Sequence, residues 1–86
     1  MVKKANGYNR RITNVHIRIL ECLSDRDYMH SNEVYGWVSQ DIPSPAMFLG
    51  YLKELVELGY IQFESEKGYI RTQQGTDIIK KMRGLS

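Results

Sequence analysis

Eighty-six residues, 42% hydrophobic and 26% charged, are ordinary for one small globular domain and too few for two. A single cysteine, Cys22, excludes an internal disulfide, and no apolar run approaches the ~20 residues of a membrane helix. The formal net charge of +2 conceals a partition: +5 over residues 1–20, −7 over 21–66 and +4 over 67–86.

Basic ends around an acidic middle make a nucleic-acid footprint if the ends converge in space. Residues 1–18 lack the continuous apolar core of a secretory signal. With one cysteine, the chain fits a reducing cytoplasm, and a place on the nucleoid if it binds DNA.

Residues 1–12 read as a basic arm, with Arg10 and Arg11 at its end and a turn signal at Asn6-Gly7. Residues 13–86 read as the folded domain. Thr13 is placed to cap a first helix over about 14–24. Val15, Ile19, Cys22 and Leu23 supply its inner stripe, with His16 and Leu20 flanking. A lone histidine beside such a stripe, with no Asp or Cys spaced for it, reads as structural. Residues 25–30 read as a linker of solvated turns. Ser31 can cap a short second helix to about Ser39, with Val34, Trp37 and Val38 as its apolar set and Tyr35 beside them. Gly36 within it would allow a close helix crossing. Pro43 holds Ile42 extended, so this helix ends earlier and Ile42 plugs the turn beneath it.

The third helix has both ends written in. Ser44 is its N-cap, Pro45 its first residue, and Gly59 the left-handed residue beyond its end. Phe48, Leu49, Leu52, Leu55 and Val56 fall in one apolar stripe. Two strands follow, over 60–64 and 69–72, with Gly68 supplying a positive φ in the turn between them. An isolated hairpin is marginal, so Ile61, Phe63 and Ile70 are expected to lean on the helices. Thr72 or Thr76 can cap a last helix ending near Arg83, with Ile78, Ile79 and Met82 as its apolar face. The predicted fold class is α+β, mainly α.

This order and three local patterns resemble the winged helix-turn-helix transcription regulators, the PadR-like group above all and the MarR- and ArsR-like groups more distantly. The run Ser44-Pro45 leading to Leu52 and Leu55 resembles the PadR-like recognition helix. Glu57-Leu58-Gly59-Tyr60-Ile61 resembles the helix-to-wing junction. Tyr69-Ile70-Arg71-Thr72-Gln73-Gln74-Gly75 resembles the end of the wing, with Arg71 standing where the family commonly has an apolar residue. The resemblance spans most of residues 14–83. It implies a three-helix core, a β-hairpin wing, a short C-terminal helix, and a transcription regulator that binds duplex DNA as a homodimer.

A DNA-binding reading selects particular residues. Stepping about 100° per residue from Leu52 turns Ala46, Met47, Gly50, Glu54 and Glu57 outward, with Tyr51 and Lys53 on the flanks. Ala46 and Gly50 would let the helix approach a groove, Ser44, Met47 and Tyr51 would touch it, and Arg10, Arg11, Lys53, Lys67 and Arg71 would meet phosphates. The two carboxylates on the trailing half oppose this. The same neutral face of Ala46, Met47, Gly50 and Tyr51 equally suits a protein partner. No metal-ligand spacing, phosphate loop or nucleophile elbow is present, so neither an enzyme nor a cofactor is expected. Trp37 and Tyr35 read as core aromatics rather than as walls of a ligand cleft.

Overall fold

Among the described residues, side-chain caps start three of the four helices. The computed structural model describes residues 12–84; the basic arm to residue 11, with Arg10 and Arg11, lies outside the described residues. Helix α1 (Asn14–Cys22) is followed by α2 (Ser31–Val38) and α3 (Pro45–Glu57). A hairpin of β1 (Ile61–Glu64) and β2 (Gly68–Arg71) leads into α4 (Gln73–Arg83). The result is a compact α+β domain, mainly helical, with a two-stranded antiparallel sheet.

Thr13, Ser44 and Thr72 cap α1, α3 and α4, each hydroxyl accepting from the backbone N–H three residues on. Helix α2 begins one residue earlier than Ser31 as a cap would allow. His30 is its N-cap, and the Glu33 carboxylate reaches back to accept from the His30 N–H at 3.1 Å. Helix α1 stops at Cys22, short of the expected Ser24. The Ser24 hydroxyl instead accepts from the N–H groups of Arg26 and Asp27, at 2.9 and 3.0 Å, and turns the chain. Helix α3 ends in a Schellman motif: Gly59 N–H donates to Val56 O and Tyr60 N–H to Leu55 O, both at 3.0 Å. Gly59 takes φ +83°, as its place past the helix end requires.

In the hairpin Ile61 lies opposite Arg71 and Glu64 opposite Gly68. The segment before α2 is more than a linker. Met29 forms a bridge with Tyr69, their N–H and C=O groups paired at 2.7 and 2.9 Å, and adds a third edge to the small sheet. Gly68 makes this possible: at φ +104° it lies so close to Met29 that a Cβ would run into the Met29 carbonyl.

The core sits between α1, α2 and α3, closed by β1. Ile17, Ile19 and Leu20 enter from α1 and Leu23 from its C-cap, Val34 and Val38 from α2, and Phe48, Leu52 and Leu55 from α3. Ile42 fills the turn below them, and Ile61 closes the side. Several apolar residues expected here lie outside. Trp37 is 74% exposed. Tyr35 and Trp37 stand about 200° apart on α2, so one alone can face inward. Tyr35 takes that place, stacking on Phe48 at 5.0 Å and donating its hydroxyl to Ile42 O at 2.9 Å. Leu49 and Val56 share one edge of α3 beside the buried stripe and are exposed, as are Phe63 and Met82. Gly36 meets nothing within 4 Å among the described residues and makes no close helix crossing with them.

Candidate functional site

Helix α3 presents its outer face to solvent because Phe48, Leu52 and Leu55 hold its other face in the core. Pro45 needs no hydrogen-bond acceptor at the helix start. Ala46, Met47, Gly50 and Lys53 are exposed, and Ser44 and Tyr51 half-buried. Among the described residues nothing lies within 4 Å of the space a Gly50 Cβ would fill. Met47, Gly50, Tyr51 and Glu54 together line a shallow depression of about 230 Å³. The structure therefore brings together the central part of the expected surface, with Ser44 and Ala46 in the turn that leads into it.

Glu54 does not stand free on that surface. Its Oε1 lies 2.7 Å from Nε2 of His16, which is buried on α1. The Thr13 backbone N–H lies 3.0 Å from the His16 Nδ1. A backbone N–H can only donate, so Nδ1 accepts, and the neutral ring carries its hydrogen on Nε2 and donates it to Glu54. The imidazole also meets the Tyr51 ring edge-on, with centroids 4.8 Å apart and an interplanar angle of 89°. His16 is structural, as its place beside an apolar stripe suggests, and it also fixes two residues of the α3 surface. The spacing from His16 to Glu54, 38 residues, gives no local signal of this pairing.

The Arg71 guanidinium is engaged within the fold. It was expected to meet phosphate from the wing. Instead its Nη1 donates to the carbonyls of Leu20 and Leu23 at 2.9 and 3.0 Å, and its Nε to the Thr76 hydroxyl at 3.0 Å. Its own N–H donates to Ser24 O at 2.9 Å. The guanidinium satisfies carbonyls left open at the end of α1 and ties α1, β2 and α4 together. This inward place explains how a cation can stand where the resemblance expects an apolar residue.

Lys67 sits in the hairpin turn and is exposed, with its Nζ 5.3 Å from the centre of the Tyr28 ring. Beyond it, Gly75 at the start of α4 is buried because the Tyr60 carbonyl occupies the space a Cβ would need. The Thr72 hydroxyl, which caps α4, also donates to Gly59 O at 2.7 Å. The Thr-x-x-Gly pattern thus locks α4 to the end of α3. Among the described residues no three His, Cys, Asp or Glu side chains are placed to hold a metal ion, and no helix is long and apolar enough to cross a membrane.

Comparison with family models, with curated proteins and with solved structures finds no match to this chain. The functional reading therefore rests on geometry alone.

Proposed function

We propose that this chain is a winged helix-turn-helix protein that binds duplex DNA and regulates transcription, with α3 entering the major groove. The observation that carries the reading is the small-residue face of α3, on which Ala46 and Gly50 are exposed and no other described residue comes within 4 Å of the space a Gly50 Cβ would fill. A helix preceded by a short turn and followed by a hairpin is the order that helix-turn-helix readers use to enter the major groove, which supports the reading. The Met29–Tyr69 bridge supports the wing by pinning β2 to the segment before α2. The His16 contact weakens the objection raised by Glu54, whose carboxylate is drawn against α1. In this account Ser44, Met47 and Tyr51 touch the groove, Lys53 and Lys67 meet phosphates, and the Arg10–Arg11 arm adds further phosphate contacts. Arg71 takes no part.

Gly50→Glu tests the reading. The open space around Gly50 accepts the side chain without disturbing the core. The added carboxylate faces the groove and should lower duplex affinity at least ~10-fold, an effect of the size expected for one misplaced charge. Unchanged affinity would remove α3 from the interface.

A second reading is favoured by a different observation. Val56 and Phe63, both exposed, line a groove of about 460 Å³ between α3 and β1. Exposed apolar side chains set among Gln62, Glu64 and Gln74, with no cation in the lining, suit a protein partner better than a phosphate backbone. A partner lost on Phe63→Glu, from a chain with no duplex affinity, would establish it.

A further inference from the structure

The small sheet is closed along one edge and, among the described residues, open along the other. On β2 the Tyr69 N–H and C=O are both spent on Met29, at 2.7 and 2.9 Å. The Arg71 N–H goes to Ser24 O on the same side, at 2.9 Å. Tyr69 lies opposite Phe63. Where one residue of an antiparallel pair turns both groups away from the partner strand, the residue opposite it does the same. The N–H and C=O of Phe63 therefore point away from β2, and no described residue bonds to them there. Gln62 and Glu64, opposite Ile70 and Gly68, take the ladder's hydrogen bonds.

The groove of about 460 Å³ between α3 and β1 runs along this open edge. Successive side chains of a strand point to opposite faces, yet Gln62, Phe63 and Glu64 all line it. A hollow touched from both faces follows the backbone between them. Val56 of α3 flanks it, exposed like Phe63. An edge that offers a free N–H and C=O beside exposed apolar side chains is a template for another strand. The charges say which strand fits. Glu64 lies in the lining and Glu66 follows in the turn, both exposed. No cation lines the groove, and Lys67 is held over the Tyr28 ring, on the β2 side. We infer that the open edge of β1 takes an extended segment of a partner protein as an added strand, with an apolar side chain against Phe63 and Val56 and a basic one beside Glu64. This mode of binding rests on the second reading above and is independent of DNA binding by α3.

Amide exchange in the isotope-labelled full chain, with and without a short end-blocked peptide of alternating valine and arginine, tests it. In the free chain the Phe63 N–H should exchange at least ~10-fold faster than the Gln62 N–H, which sits in the ladder. The peptide should slow Phe63 by a similar factor. Two further peptides carry N-methyl groups on the valines alone or on the arginines alone. Alternate N–H groups of a strand face opposite edges, so one set should abolish binding and the other leave it. A one-residue slip cannot rescue the blocked peptide, because it would set arginine against Phe63. Phe63→Ala should weaken the unmodified peptide at least ~10-fold. Glu64→Lys should weaken it too, and admit a peptide of valine and glutamate. The methylated peptides carry the test if either variant fails to fold. A Phe63 amide as protected as Gln62 in the free chain overturns strand addition, as does a peptide that does not bind at millimolar concentration. So does protection of Phe63 that rises with protein concentration alone, which would give the edge to a second copy. If both methylated peptides bind alike, the groove takes a side chain without an added strand; strand addition then fails while the second reading stands.

Discussion

Arg71→Ala should destabilise the fold rather than weaken DNA binding. The substitution deletes three side-chain hydrogen bonds, two to the carbonyls of Leu20 and Leu23 and one to the Thr76 hydroxyl. Bonds from a charged donor can contribute more than neutral ones, but Arg71 is half-buried and water can replace part of what is lost. About 1 kcal/mol for each bond gives a loss of about 3 kcal/mol. For a domain of this size that lowers Tm by roughly 12–24 °C. The assay is thermal unfolding by circular dichroism, with Arg71→Lys alongside. Lysine keeps the charge but lacks the planar fork that reaches both carbonyls, so it should recover only a minor part. Duplex binding, measured well below both melting temperatures, should keep the wild-type salt slope. A Tm within about 2 °C of wild type, or a salt slope shallower by about one phosphate contact, would refute the clamp.

Other outcomes follow from single contacts. Gly68→Ala forces a Cβ into the Met29 carbonyl at a backbone angle that other residues rarely adopt. It should cost about 2–4 kcal/mol in denaturant unfolding, and a neutral effect would mean the Met29–Tyr69 bridge is not held. His16→Ala removes the ring that accepts from Thr13 N–H and donates to Glu54. It should lower stability by about 2 kcal/mol in denaturant unfolding, and an unchanged midpoint would mean the Thr13–His16–Glu54 contacts carry no weight in the fold. Burial, with the neighbouring Glu21 carboxylate adding to it, pushes the Cys22 thiol above its ordinary pKa. Alkylation by iodoacetamide should therefore rise with pH at a midpoint above that of an unfolded cysteine peptide, and a midpoint below it would contradict this.

What could be read from the sequence was local. Thr13, Ser44 and Thr72 act as caps, and Gly59 and Gly68 take left-handed angles, because those roles depend on residues within a few positions. Ile42 as the plug, fixed by Pro43, is legible for the same reason. The failures concern which side of an element meets the core. Trp37 is apolar and lies on the same helix as Val34 and Val38, yet only Tyr35 could find a carbonyl for its polar end. Leu49 and Val56 stay outside because three layers of side chain already fill the face α3 turns inward, and a small domain cannot cover all its apolar surface. Arg71 looks like a free cation until a carbonyl 51 residues away is brought beside it. Met29 and Tyr69 join across a gap that no pattern announces. At the α3 surface, sequence placed Met47, Gly50 and Tyr51 together, and tertiary structure added the His16 contact that alters the charge they stand in.

The most direct test of the account is fluorescence anisotropy of a mixed-sequence duplex titrated with the full chain at several salt concentrations. The account predicts binding that weakens steeply with salt. The slope should be about −0.9 for each phosphate neutralised, and steep enough to count Lys53, Lys67 and the Arg10–Arg11 arm. No binding even at low salt would contradict it and turn attention to a protein partner at Val56 and Phe63.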